Sequence, residues 1–348
     1  MENKNYKKNK PTWIGAGLVA LDVIIDEVNN EPQQLLSGGS CGNVGTIVAY
    51  LGFDAYPVAR LKSNKATSKL VEDLGNCGVK TDLITVTKDG STPIIIQRIK
   101  KNKSGFPIHK FEFRDPDSKE WLPNYKPVLS SAVPDIVKKT KIPAVFYFDR
   151  INRAAIDFAK HYKANGSLVY FEPNSIGDER LFEECLEVAD IIKFSNERMG
   201  NYQSLYPRQR VSLEIQTLGE NGVSYRFSHD LKEKKWTKIP GLRISKLVDA
   251  SGAGDWMSAG LITTLGSEGL KGFKKVSSKQ LLQALKYSQA LGSLNCFFNG
   301  ARGLMYQHSS QKCVNMVNQL LELEESFEPL PVKKVKSTKK LVSLKSLY

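Results

Sequence analysis

The sequence predicts an α/β fold, with a parallel-rich central sheet flanked by helices on both faces and a small β-strand lid. Three observations lead there. From Ala144 onward, the short apolar runs Ala144–Phe148, Leu168–Phe171 and Ile191–Phe194 are separated by the helical patterns Ala154–Lys163 and Glu179–Val188. Repeated strand–helix–strand units of this kind give a parallel sheet covered on both faces. Outside that alternation, residues 92–115 hold two strand-like runs joined by a polar loop, the pattern of a β-hairpin. Finally, 348 residues with 41% hydrophobic content supply one large core.

The elements follow in chain order. A basic arm at residues 1–10, expected to be flexible, precedes the β-branched run Trp13–Ile25, which Gly15 and Gly17 interrupt. Ser37-Gly38-Gly39-Ser40 marks a turn, and Asn43–Leu51 has a helical pattern that stops at Gly52. A strand at Ala55–Ala59 and a helix at Ala66–Leu74 come next. The hairpin sets Ile94–Ile99 against Ile108–Phe113 across Lys100-Lys101-Asn102-Lys103-Ser104-Gly105. Standing outside a parallel core, it is a candidate lid or else an edge hairpin. Leu213–Ile239 is β-rich, and helices are expected at 255–265, 279–297 and 312–325, the last closing the fold before Pro329 and Pro331. One domain over 11–328 results, with lid strands at about 15–37 and 92–115 and a basic tail at 329–348.

Charge and cysteine usage exclude several function classes. The formal net charge is +14, but the first ten residues carry about +3 and the tail from Pro331 about +6. The body between is only mildly basic, and neither end interleaves arginine with aromatics. Solvated tails are therefore expected rather than a nucleic-acid surface. Five cysteines without CxxC spacing argue against a disulfide framework or a zinc site, and for a reducing, cytoplasmic setting. No stretch approaches the roughly 20 apolar residues of a bilayer span. No apolar segment of secretory type follows the first lysines, so neither a membrane partner nor a secretory signal is expected.

The chemistry is concentrated in Asp249-Ala250-Ser251-Gly252-Ala253-Gly254-Asp255, which runs into the apolar stretch Trp256–Leu265. That stretch has the character of a buried helix, placing Gly252, Ala253 and Gly254 at its N-terminus. Backbone N–H groups and the positive end of the helix dipole converge there and suit a phosphate. Asp255 at the helix start can take a proton from an attacking hydroxyl, the base role in phosphoryl transfer. The plainer alternative is a tight glycine turn with an aspartate favoured by the dipole.

These residues resemble the C-terminal signature of the ribokinase family, also called PfkB carbohydrate kinases, whose usual form is D-T-x-G-A-G-D. Ala250 stands in the threonine place. Gly38-Gly39-Ser40-Cys41-Gly42-Asn43 is similar to the family's G-G-x-x-x-N signature, where the glycines pass close to the substrate and the asparagine binds its hydroxyls. Asp22 matches the family aspartate that binds substrate hydroxyls from the first strand. The resemblance thus implies Asp22, Gly38, Gly39 and Asn43 on the substrate, although Asn43 also fits a helix N-cap. Phe171-Glu172-Pro173-Asn174 resembles the F-D-P-N strand end. Gln216–Gly222 resembles V-T-L-G-x-x-G, which implies Thr217, Gly219 and Gly222 beside ATP; a hairpin turn is the alternative. Asp249 joins the ATP side by the same resemblance. The family's magnesium-organising N-x-x-E is irregular here: Phe194-Ser195-Asn196-Glu197-Arg198 offers Asn196 and Glu197 as nearest candidates. Lys62 could reach a negatively charged substrate group or simply face water.

What the resemblance implies is a ribokinase-like fold and ATP-dependent phosphorylation of a hydroxyl on a small sugar. A nucleoside is kept open by Phe111 and Phe113 in the lid. Magnesium is the implied cofactor, a monovalent cation such as potassium near Asp249 is a common family feature, and family members dimerise through lid strands. A catalytically weak binding or regulatory protein is the rival that Ala250 and the irregular magnesium segment favour and Asp255 opposes. A dinucleotide-binding reading of Gly15-x-Gly17-x-x-Ala20 requires a helix after the glycines, yet the β-branched Val23-Ile24-Ile25 follows. No GxxxxGK[ST] is present, which disfavours a P-loop kinase.

Overall fold

The computed structural model describes residues 10–28, 33–101, 107–231, 234–245, 247–323 and 344–348. The basic arm up to residue 9, the hairpin loop 102–106 and the tail segment 324–343 lie outside them, and so do the expectations placed there.

The chain moves between two sheets. It opens with β1 (Thr12–Ala16) in the central sheet and leaves for β2 (Ala20–Asp26) and β3 (Gln34–Gly38). It returns with β4 (Asp54–Lys62) and β5 (Ile84–Thr87), then leaves again for β6 (Ile94–Lys101) and β7 (Pro107–Glu112). The second half stays in the central sheet: β8 (Val145–Phe148), β9 (Leu168–Phe171), β10 (Ile191–Ser195), β11 (Leu213–Thr217), β12 (Val223–Phe227) and β13 (Thr237–Ile239). Among the described residues the central order is β13-β12-β11-β10-β9-β8-β1-β4-β5, parallel except for the antiparallel edge β12 and β13. The lid has the order β3-β2-β6-β7, with β2 parallel to β6 and Asp22 opposite Ile95.

Strand alternation divides the core in two, because successive side chains point to opposite faces. Trp13, Val145, Tyr147, Leu168, Tyr170 and Ile191 face the helices Ser40–Tyr50, Ala253–Leu265 and Ser278–Asn295. Ile14, Phe146, Phe148, Phe171 and Ile192 face Arg153–Ala164 and Glu179–Val188. Burial on both faces is why these strands are continuously apolar in sequence.

Several expectations need correction. The run Trp13–Ile25 is not one lid strand: residues 15 and 16 complete β1, and the lid begins at Ala20. Gly15 lies under the Trp13 ring and Gly17 against the Asp149 carboxylate, so any Cβ at either position would overlap them. A strand follows these glycines where a dinucleotide site requires a helix, which removes that reading. The helix expected from Asn43 starts at Ser40, with Gly39 as its N-cap. Asn43 is therefore one turn inside the helix and is not a cap. β5 escaped notice because it is short, lies at the sheet edge and leaves Thr85 and Val86 exposed.

The end of the basic tail docks on the body instead of extending into solvent. Leu344 and Leu347 are buried in the larger core cluster, and the Ala66 N–H donates to the Leu347 carbonyl at 2.9 Å. The Tyr348 hydroxyl donates to Asp115 at 3.0 Å. Apolar residues among the lysines supply that attachment, which net charge alone conceals. All five cysteines are free thiols. Among the described residues, no helix is long and apolar enough to cross a membrane.

Candidate active site

The helix Ala253–Leu265 begins with Gly252 at φ 74° and ψ −3°, in the left-handed region. A Cβ on Gly252 would overlap the Ala301 carbonyl oxygen, so the turn needs glycine for both conformation and space. Asp249 braces the turn: it is buried and accepts the Ser251 N–H at 2.8 Å and the Gly300 N–H at 2.7 Å. Asn295 adds a bond from its side-chain amide to the Ser251 carbonyl at 3.0 Å. The first intrahelical bond runs from the Trp256 N–H to the Gly252 carbonyl at 2.9 Å. The N–H groups of Gly254 and Asp255 thus precede the helical ladder, and Gly254 is exposed. Together with the helix dipole they form an anion-binding corner open to solvent.

Asp255 leaves that corner in the company of Asn43, whose Nδ2 donates to Asp255 Oδ2 at 2.9 Å. The two are 212 positions apart in the chain. Burial pushes the Asp255 carboxyl up to about 7, the nearby Glu172 pushes the same way, and Asn43 and Lys193 oppose. A carboxyl near neutrality suits a general base at physiological pH.

Asp22 reaches the site from the lid. Among the described residues its buried Oδ1 has no hydrogen-bond partner, and its carboxylate lies where a side chain on Gly38 would overlap it. Burial raises this carboxyl to about 7, with Arg302 opposing. Arg302 is itself fixed by the Ser37 carbonyl at 2.5 Å, Thr46 Oγ1 at 3.1 Å and Asp73 at 3.0 Å. From β6, Gln97 donates to Ser251 Oγ at 3.0 Å, bringing a lid strand onto the turn before the helix. Gly39, at φ 75°, lies close against the Leu18 backbone.

The nucleotide-side expectations fall on the carboxyl ends of β10 and β11. Gly219 and Gly222 have φ of 59° and 88° in a tight turn closed by the Leu218 N–H to the Gly222 carbonyl at 2.8 Å. That turn is a hairpin connection and a strand-end loop at once, so the two readings describe one object. Thr217 ends β11 opposite Ser195 of β10. Asn196 and Glu197 are exposed at the start of a short helix, and Gln216 donates to Asn196 Oδ1 at 2.9 Å. Among the described residues, no group of three His, Cys, Asp or Glu could hold a metal ion. Lys62 is exposed.

Sequence reasoning missed the buried polar groups behind Asp255. Glu172 accepts from Lys193 Nζ at 2.5 Å, Ser258 Oγ at 2.5 Å and the Tyr147 hydroxyl at 3.2 Å. Asp149 is fully buried and accepts the Leu18 and Cys41 N–H groups at 2.8 and 2.9 Å, joining β8 to both glycine turns. The available signal was a charge inside, or directly after, an otherwise apolar strand. A cavity of about 240 Å³ also opens beside the lid base, lined by Leu18, Ile95, Phe113, Trp121, Asn124 and Tyr125 among others.

Comparison with known proteins gives a consistent outcome. A family model described as pfkB family carbohydrate kinase matches residues 17–306. Ribokinase of Arabidopsis thaliana, solved with ribose and ATP, superposes with a TM-score of 0.63 at 17% identity, covering 90% of this chain and 99% of that one. An uncharacterized sugar kinase of Pyrococcus horikoshii in complex with ATP gives 0.62 at 21% identity, covering 86% and 99%. Aminoimidazole riboside kinase of Salmonella enterica, complexed with aminoimidazole riboside and an ATP analog, gives 0.63 at 18% identity, covering 89% and 100%. No curated protein matches the sequence.

Proposed function

Because the chain belongs to the pfkB family of carbohydrate kinases, we propose that it transfers the γ-phosphoryl group of ATP to a hydroxyl of a small sugar or sugar-like substrate. One observation carries the reading: the Asp255 carboxylate stands at the mouth of an open helix N-terminus, oriented by Asn43 from a distant helix. Of the amides expected at this turn, that of Ala253 is engaged by the Ala250 carbonyl at 3.3 Å, so a phosphoryl group would sit at the Gly254 and Asp255 N–H groups, next to a hydroxyl at the Asp255 carboxylate.

In this scheme Asp22 Oδ1, otherwise without a partner, accepts a substrate hydroxyl. Gly38 leaves room for the Asp22 carboxylate and Gly39 for the Leu18 backbone, which lets both glycines border the sugar without side chains. Asp255 takes the proton of the attacking hydroxyl as its oxygen bonds to the γ-phosphorus and the bond to the β–γ bridging oxygen breaks. ADP leaves, and the first-turn amides compensate charge on the phosphoryl oxygens. The lid, attached to the turn through Gln97, excludes water that would otherwise accept the phosphoryl group. Thr217, Gly219 and Gly222 border the nucleotide.

Magnesium would take most of its ligands from ATP phosphates and water, as that ion does. Exposed Glu197 and Asn196 suit such a shared site better than a protein cage. Asp249 directs its carboxylate to backbone amides, so no step here depends on a potassium ion beside it. A nucleoside as acceptor is a second reading supported by the cavity at Phe113, Trp121 and Tyr125, because a flat base suits aromatic walls.

ADP release by purified protein over a panel of sugars and nucleosides tests the function. Turnover with at least one acceptor is expected; ATP binding without turnover on any acceptor would favour a binding protein. Asp22→Ala should raise the acceptor KM roughly 10- to 100-fold while kcat changes only a few fold, the worth of one or two hydrogen bonds to a charged group. An unchanged KM would remove Asp22 from the substrate.

A further inference from the structure

The scheme above leaves one buried charge pair near the site unused. By the alternation of β10, Lys193 faces the helix Ala253–Leu265 as Ile191 does, one pleat beyond the level at which β9 and β8 present Tyr170 and Tyr147. The Lys193 side chain is 3% exposed and its Glu172 partner 14%. A buried ion pair returns little stability for the desolvation it requires, and a well-packed apolar pair would serve the core as well or better. A cation kept here therefore calls for another use.

Its location suggests one. A Cβ built on Gly254 would lie 3.6 Å from Lys193 Nζ, so the ammonium flanks the amide corner at the helix start. Glu172 holds it there through a 2.5 Å bond, and Glu172 is held in turn by Ser258, three residues beyond Asp255 on the same helix, and by Tyr147. An ammonium has three donors, and Glu172 engages one of them. We propose that Lys193 is a catalytic residue whose ammonium contacts the γ-phosphoryl oxygens during transfer, and that Glu172 is the positioning residue that aims it. Lys193 keeps its protons throughout: the hydroxyl proton goes to Asp255, the substrate oxygen bonds to the γ-phosphorus, and the β–γ bridging oxygen leaves with ADP. This assignment rests on the kinase reading above.

The test separates the two ideas by measuring nucleotide binding without acceptor. Calorimetry with magnesium ATP and magnesium ADP should show that Lys193→Met weakens ATP about 10- to 30-fold and ADP less than about threefold, since ADP lacks the contacted group. The same variant should lose about 100- to 1,000-fold in kcat with the acceptor KM nearly unchanged. Should the stranded Glu172 carboxylate impair folding, Lys193→Met combined with Glu172→Gln removes it; this double variant is expected to fold and remain slow. Glu172→Gln alone should move the acid limb of the kcat profile, read at saturating acceptor where Asp22 is held by substrate, to lower pH, because the Glu172 charge helps hold the Asp255 carboxyl high. Recovery of kcat in the double variant would reduce Lys193 to a counter-ion and overturn the proposal. Equal weakening of ATP and ADP would do so too, and a fixed pH limb would remove Glu172 from its part. Wild-type protein that binds neither nucleotide would sink the kinase reading along with it.

Discussion

Asp255→Asn lowers kcat about 1,000- to 10,000-fold, at the upper end of what loss of a general base costs, while ATP affinity stays within a few fold. The amide preserves the size of the side chain and can still pair with Asn43, so the loss isolates proton transfer. The wild-type pH profile should agree. With the carboxyl raised to about 7 by burial and Glu172, kcat/KM falls as pH drops below that value, and the amide in the variant takes the base's own titration out of this limb. Asp22 is raised to the same range, so both carboxyls contribute to the wild-type kcat/KM limb.

The same substitution should stabilise the fold. A carboxyl raised in the folded state holds its proton more tightly there than in the unfolded chain. Its contribution is favourable at low pH and is lost as pH climbs from the ordinary carboxylate range to about 7. The neutral amide escapes that penalty. At pH 8 Asp255→Asn is expected to gain about 1–3 kcal/mol, less than full burial would give because the residue is partly exposed. The gain should shrink toward pH 5. Thermal unfolding at both pH values checks it, and a variant less stable than wild type at pH 8 would contradict a carboxyl raised by desolvation and Glu172.

Gly252→Ala carries the second large effect. The residue is left-handed at φ 74°, which costs a side chain about 1 kcal/mol. Its Cβ would also overlap the Ala301 carbonyl oxygen, a backbone atom that cannot rotate aside. Relief requires moving the turn, which re-aims the Gly254 and Asp255 amides. A stability loss of about 2–4 kcal/mol and a fall in kcat of about 100-fold or more are expected from urea unfolding and steady-state kinetics. Gly219→Ala is the control: its φ is 59°, but no heavy atom lies within 4 Å of the new Cβ. It should lose only about 1 kcal/mol. Equal losses at both glycines would mean that conformation alone, and not the close approach to Ala301, fixes Gly252.

The glycine turn before the buried helix was legible because its determinants are local. Asp249, Gly252, Gly254 and Asp255 lie within one heptapeptide, and the apolar run after it marks a buried helix. The alternating strands and helices of the second half were legible for the same reason, and the helix Glu179–Val188 begins and ends where its pattern does. Asn43 shows where local reading stops. Its type fits a cap, but the helix starts earlier at Gly39, and only the packing of two helices directs its amide to Asp255. The dinucleotide-like glycines are a similar case: Trp13 and Asp149 occupy the space a side chain would take, so packing accounts for both glycines.

Periodicity and one compact motif, both properties of near neighbours, determined the sheet, the helices and the aspartate proposed as the base. Tertiary structure decided everything that depends on groups distant in the chain. It put Asn43 on Asp255, left an oxygen of Asp22 without a partner above Gly38, and aimed Lys193 from Glu172 at the helix start. It also returned Leu344 and Leu347 to the core from a tail that charge alone would have left in water. The physical reason is that pairing and desolvation act through space, so a residue's ionisation and its partner are fixed only once the chain has closed around it.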